Sequence, residues 1–240
     1  MLILAVDTST RMGSAALLHD SEILAEVSGY EETPYSTRLF RDIATLKDKT
    51  NFRMDQVDVF AVAAGPGSFT GLRVGLTAVK AWAEVHGKPI AAISGLEAIA
   101  AESLMDQAAS ASDARFIAPF LDARRGQVFG AIYRRILGGV TGLSLASDES
   151  ILSPDEFLDM VKGMSSQPIQ MVSPTPEVLP LTRVTEILPY PSVVKVSAAL
   201  APAIGRLGLE RALRGDFVDS VQLDANYVRR SDAESAWKDG

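Results

Sequence analysis

Short apolar runs and helical repeats alternate along the first hundred residues. Leu2–Asp7 reads as a buried strand, and Ser14–His19 and Ile23–Val27 follow about the turn Asp20-Ser21, giving a three-stranded meander. Beyond the loop Glu31–Pro34, Leu39, Phe40, Ile43 and Leu46 recur at helical spacing and predict an amphipathic helix over Ser36–Lys49. Val57–Ala63 is a further strand and Gly65-Pro66-Gly67 a sharp turn. Thr70–His86 is the strongest helix in the chain, and Pro89–Ile93 is another strand. Ser94, with Glu97 three residues on, forms a capping box that opens a short helix.

A polar stretch, Ala108–Ala114, separates this half from a second that opens alike: strand Phe116–Leu121, turn Arg124-Arg125-Gly126, strand Val128–Tyr133, with Gly138-Gly139 ending the hairpin. Ser153-Pro154-Asp155-Glu156 supplies a cap, an N1 proline and an acidic first turn for a helix. Ser165–Pro191 is proline-rich and predicts only short strands. Ala198–Leu213 is helical but interrupted by Pro202, Gly205 and Gly208. The tail Asn226–Gly240 is polar and reads as extended or frayed. The first half runs strand, strand, strand, helix, strand, helix, strand, helix, the order of the ribonuclease-H-like module that actin, sugar kinases and heat-shock chaperones duplicate. The expected fold is therefore α/β, with two ribonuclease-H-like (actin-like ATPase) lobes, mixed sheets flanked by helices, and a reduced second lobe. The expected division is 1–106 and 107–240, the late helix being a candidate to pack back on the first lobe.

Composition narrows the function. The chain has 240 residues, 47% of them hydrophobic and 22% charged, and no cysteine. That is globular composition without a disulfide framework, a thiolate metal site or a cysteine nucleophile. Leu2–Val6 is too short for a signal sequence, and no run is long enough to span a bilayer, so a cytoplasmic location with no membrane contact is expected. The net charge of -7 disfavours a protein that grips nucleic acid alone, because such affinity rests on neutralising phosphates.

Candidate chemistry is sparse. Asp7, Thr8 and Ser9 sit where the first strand ends, and Gly65 and Gly67 flank the later turn; together they are the candidate nucleotide-binding residues. Asp7 and Thr8 could equally cap the turn, and the residues alone do not choose. Gly65–Gly71 is not a Walker A loop, since Leu72 follows Gly71. Gly67, Gly71 and Gly75, spaced by four, favour close helix packing over anion binding. The helix Thr70–His86 carries one narrow polar stripe, Arg73, Thr77, Lys80 and Glu84, and so predicts burial on two sides, against the second half or another chain. Neither His19 nor His86 has another histidine nearby, so no metal site is expected. With no GxSxG motif, and Ala63-Ala64-Gly65 where a nuclease would want a carboxylate, no catalytic group is expected either. Asp122–Gly126 reads as a solvated, charged hairpin.

Three stretches carry a family resemblance: ILAVDTST at Ile3–Thr10, GPGSFTGLRVGLTAVKAWA at Gly65–Ala83, and LDARRGQVFGAIY at Leu121–Tyr133, with ANYVRR at Ala225–Arg230. They resemble the TsaB family, formerly YeaZ. The resemblance implies a non-catalytic subunit that forms a heterodimer with the transferase TsaD through first-half helices, with the ATPase TsaE docking on that pair. The assembly transfers threonylcarbamoyl to the adenosine beside the anticodon of tRNA, so contact with tRNA would be indirect, no cofactor is implied, and a homodimer is expected alone. Leu39, Ile43, Leu72, Leu76, Val79 and Trp82 are the candidate interface residues. The catalytic relatives carry His-x-x-x-His after the fifth strand, where Gly95 and Ile99 stand here. The family's His-Ser-x-x-Leu is Tyr35-Ser36-Thr37-Arg38-Leu39 here. The competing reading is an actin-like nucleotide-binding small-molecule kinase or ATPase.

Overall fold

The computed structural model describes residues 1–29, 35–105, 114–136, 141–164, 168–188, 192–226 and 228. The loop Glu31–Pro34, the pair Gly138-Gly139, most of Ala108–Ala114 and most of the tail lie outside these residues. The first lobe comprises β1 (Leu2–Asp7), β2 (Ser14–His19), β3 (Glu22–Ser28), α1 (Tyr35–Thr50), β4 (Val59–Gly65), α2 (Phe69–His86), β5 (Ile90–Ser94) and α3 (Gly95–Met105). Its sheet runs β3-β2-β1-β4-β5, antiparallel across the meander and parallel from β1 through β4 to β5.

The second lobe repeats that path. It comprises β6 (Phe116–Arg124), β7 (Gln127–Gly130), β8 (Tyr133–Arg135), β9 (Leu143–Leu145), β10 (Ser150–Leu152), α4 (Pro154–Gly163), β11 (Ile169–Ser173), α5 (Leu181–Ile187), β12 (Val193–Lys195) and α6 (Ala201–Arg214). The order β10-β7-β6-β11-β12 mirrors the first sheet strand for strand, with β8 and β9 added beside β6. The reduction of this lobe lies in its outer helices, since α4 has 10 residues and α5 has 7 against 16 and 18 in α1 and α2.

The layers follow from strand alternation, which sends successive side chains to opposite faces. Leu4 and Val6 of β1 face α1 and α2, while Ile3 and Ala5 face a central layer built from α3 and α6. The two central helices pack on each other: α6 lies on β1, β2, β4 and β5 of the first sheet, and α3 lies on β6 and β11 of the second as well as on β4 and β5. The central face of the first sheet is alanine-rich, with Ala5, Ala16, Ala61, Ala63 and Ala91 all buried, so a helix can approach closely. Gly205 and Gly208, read above as interruptions, belong to one unbroken helix. A Cβ at Gly205 would run into Leu18, and one at Gly208 would come within 2.7 Å of Ala61. Pro202 lies in the first turn of α6, where its missing N–H costs no helical bond.

Two other expectations are corrected. Val128–Tyr133 is not one strand: the chain leaves the sheet at Ala131-Ile132, where the Ile132 amide donates to Ser147 Oγ at 2.8 Å instead of to β6. The proline-rich stretch also contains the helix α5, which starts directly after Pro180.

Candidate functional site: an interlobe cleft and an outer helix face

The turn after β1 is sealed against the start of α2. Asp7 is 1% exposed; its Oδ1 accepts from the Ser9 amide at 2.7 Å and from Ser9 Oγ at 2.6 Å. Its Oδ2 has no hydrogen-bond partner among the described residues. Burial raises the acid's pKa, with Ser9 hydrogen bonds and the Arg38 charge only partly opposing. Thr8 Oγ1 donates to the Gly71 carbonyl at 2.7 Å, and the Ser68 amide donates to the Ser9 carbonyl at 2.8 Å. A Cβ at Gly67 would sit 2.7 Å from the Ser9 carbonyl oxygen, and Cβ atoms at Gly71 and Gly75 would collide with Thr8. The three glycines therefore serve close packing. Sequence reasoning missed Arg38, which is 2% exposed, pairs with Asp42 at 3.1 Å and donates to the Met12 and Gly13 carbonyls, tying α1 to the same turn.

A separate cleft of about 640 Å³ opens between the lobes, beyond the C-terminal ends of β4 and β5. Of the candidate nucleotide-binding residues only Gly65 lines it; Asp7, Thr8 and Ser9 do not, and Gly67 packs on Ser9. A Cβ at Gly65, whose φ is +116°, would lie 2.6 Å from the Asn226 carbonyl oxygen, so the chain's own C-terminal segment covers that turn. The five residues thus do not converge on one phosphate-sized space. Salt-bridged and hydrogen-bonded pairs furnish the cleft instead. Arg211 of α6 meets Glu97 of α3 at 2.9 Å, and Glu149 accepts from Tyr133, Ser94 and Asn226. Burial keeps the Glu97 pKa raised even though the Arg211 cation pulls it down. Tyr133 and Asn226 stand within the family-like stretches, but no sequence signal assigned a site role to them, to Glu149 or to Arg211, because the contacts that join them across the cleft are at least sixteen positions apart.

The outer face of α1 and α2 is the other candidate. Leu39, Ile43, Leu72, Leu76 and Val79 are each 6% exposed or less and belong to the core beneath these helices. Trp82 alone of the six is half-buried; its ring lies tilted by 40° against Phe60 at 6.1 Å and edge-on to Phe40 at 6.3 Å. The accessible face is built by neighbours: Phe40 at 58% exposure, Val85 at 77%, and Phe69 beneath the Arg73 guanidinium at 4.0 Å. The second buried flank predicted for α2 is met by the segment after α6, where Leu223 enters the same core and Ser220 Oγ donates to Glu84 at 2.6 Å.

The family model for TsaD, tRNA N6-adenosine threonylcarbamoyltransferase, matches residues 32–187 of this chain. The chain is 28% identical, over 99% of its length and 98% of the relative's, to the tRNA threonylcarbamoyladenosine biosynthesis protein TsaB of Bacillus subtilis. It is 29% identical to the Escherichia coli protein of the same name, over 70% of this chain and 69% of that one. The chain belongs to the TsaB (YeaZ) family. YeaZ from Pseudomonas aeruginosa superposes with a TM-score of 0.73 at 25% identity, covering 94% of this chain and 99% of that one, and so shares the α/β fold described above. Within this TsaB-family chain, Gly95 and Ile99 are both buried at the start of α3, the Gly95 Cβ position lying 3.0 Å from the Pro66 carbonyl. Tyr35 puts its ring beside Gly13 and donates its hydroxyl to the Thr10 carbonyl, so the family's departure at this position is a packing contact. In the Asp122–Gly126 hairpin the Arg124 amide donates to Asp122 Oδ1 at 2.7 Å, and Arg124, Arg125 and Gly126 all take positive φ. No described helix is long and apolar enough to cross a membrane.

Proposed function

We propose that this chain takes part in threonylcarbamoyladenosine biosynthesis as a non-catalytic subunit, docking on a TsaD transferase through the outer face of α1 and α2. The observation that carries the reading is the aromatic step on that face. Phe40, 58% exposed, stands edge-on to Trp82 above an otherwise closed core, an arrangement suited to a buried anchor in a protein interface. The absence of imidazoles at Gly95 and Ile99 supports a subunit without the metal chemistry of the catalytic relatives. Its net charge of -7 favours a partner-mediated route to tRNA. The same face would serve a homodimer when the chain is alone, and TsaE would join the pair once TsaD is bound.

Size exclusion with light scattering, of the chain mixed with TsaD from its own organism, tests this. A one-to-one complex is expected, and Phe40→Glu should weaken it by roughly 30-fold or more, because truncating an interface anchor costs about 2 kcal/mol or above. Val79 cannot serve as the probe, since it is fully buried and a charge there would unfold the lobe. An undiminished complex with Phe40→Glu moves the interface elsewhere; no complex at all removes the partner reading. ATP turnover by the isolated chain, abolished by Asp7→Ala, would reinstate the kinase or ATPase reading, against which the sealed Asp7 turn weighs.

A further inference from the structure

We propose that the Glu149 carboxylate is an interlobe latch which, with the strap Asp224–Asn226, holds the cleft between the two sheets at one width. Glu149 lies between β9 and β10 in the second lobe, and its two oxygens collect donors from three separate parts of the chain. Oε1 accepts from the Tyr133 hydroxyl at 2.9 Å and from Ser94 Oγ at the end of the first lobe's β5. Oε2 accepts from Asn226 Nδ2 at 2.7 Å. Ser94 is also the cap of α3, its Oγ accepting from the Leu96 and Glu97 amides at 3.1 and 3.2 Å. The anionic latch is therefore coupled through one hydroxyl to the positive end of a central helix, the end at which negative charge is stabilised. Burial and the neighbouring Glu149 and Glu97 charges push the Tyr133 phenol far up, so it stays a donor.

The strap is anchored on both sides of this contact. The Asn226 amide donates to the Ala64 carbonyl at the end of β4, at 2.6 Å. Leu223, 1% exposed, enters the core under α1 and α2, and Val228 packs on the central core. Opening the cleft would strip a half-buried carboxylate of two donors at once, Ser94 Oγ and Asn226 Nδ2, and hydrogen bonds to a charged group are the costly ones to lose. The polar atoms of the latch are satisfied by one another, which fits a clamp better than a receptor for a small molecule.

Hydrogen exchange of the full-length chain, read by mass spectrometry, tests the latch. In Glu149→Ala, exchange should rise about ten-fold or more in three non-adjacent segments, 92–97, 131–135 and 223–226, while β1, β2 and α1 keep wild-type rates. A rise confined to residues 146–150 overturns the proposal. Should Glu149→Ala fail to fold, Asn226→Ala decides, because it removes one exposed side chain. The latch requires faster exchange at the Leu96 and Glu97 amides as well as at the strap, since Glu149 loosens for both. Acceleration at the strap alone refutes it.

Discussion

Gly71→Ala sets helix propensity against packing. Gly71 lies in the first turn of α2, and alanine in a helix interior is favoured over glycine by about 1 kcal/mol. The structure opposes this gain, because the new methyl would collide with the Thr8 carbonyl oxygen, a backbone atom that cannot swing aside. Relieving the collision costs about 1–3 kcal/mol of overpacking. Moving α2 away also breaks the buried Thr8 Oγ1 to Gly71 bond of 2.7 Å, at about 1–3 kcal/mol for a polar group left unpaired. The net loss is therefore centred near ~3 kcal/mol, which for a chain of this size lowers Tm by about 6–12 °C. Thermal denaturation followed by circular dichroism reads it directly. Gly163→Ala is the control, since nothing lies within 4 Å of its Cβ position and its melting point should stay the same or rise slightly. If Gly71→Ala melts at or above the wild type, the close approach of β1's end to α2 is not what this glycine secures.

Two further substitutions probe buried charge. Because Asp7 has its folded pKa raised by burial, its contribution is fully present below the unfolded value and is lost as pH rises through the folded one. Asp7→Asn should therefore melt higher than wild type at pH 7–8, with the gap closing towards pH 4; a gap that widens in acid would contradict the sign. Arg211→Ala strands Glu97 in the cleft and should cost about 3–5 kcal/mol at neutral pH, less in acid where Glu97 can protonate, as denaturant titrations at two pH values would report.

The first lobe was legible because its strands are short apolar runs bounded by turn residues. Leu2–Asp7 and Ser14–His19 were read with their observed limits, and α2 to within one residue. Legibility failed where the local signal and the tertiary use of a residue diverge. Gly205 and Gly208 look like helix breakers, yet they are the points where α6 meets Leu18 and Ala61. Val128–Tyr133 carries strand propensity throughout, but the sheet changes partner at Ala131-Ile132, a choice set by β9 and by Ser147. The candidate interface residues show the same limit. Periodicity placed Leu39, Ile43, Leu72, Leu76 and Val79 on apolar faces, and those faces point into the sheet; the exposed apolar side chains are their neighbours Phe40 and Val85, and spacing alone does not say which apolar positions stay open. In the cleft, Glu149 had no motif to announce it, and the ANYVRR stretch gave no role to Asn226, because their meaning lies in a contact 77 positions apart.

These placements bear on where a molecule of this architecture can still act. In a duplicated α/β fold the space at the strand ends between lobes is the natural place for a ligand. Here that space is crossed by the chain's own strap, and the Asp7 turn is plugged by Gly67 of the preceding turn and by Gly71 and Gly75 of α2. Of the central helices, α3 lies on strands of both sheets, α6 lies on the first sheet and holds the second lobe's Thr141 through Glu210, and Glu97–Arg211 pins one helix to the other. A body tied in this way has little freedom to close around a substrate, whereas its outer helices are held rigidly by the core beneath them. Rigidity is what a docking surface needs, because a preformed face spends little ordering entropy on binding. The same features that close the interior therefore favour α1 and α2 as the working surface. Loosening the latch at Glu149 should then weaken partner binding even though it lies in the interlobe cleft and not on that face. Titrating TsaD against Glu149→Ala, with Phe40→Glu as the direct-contact reference, separates the two effects. An affinity for TsaD equal to wild type in a latch variant that exchanges faster would show that the outer face does not depend on the closed cleft.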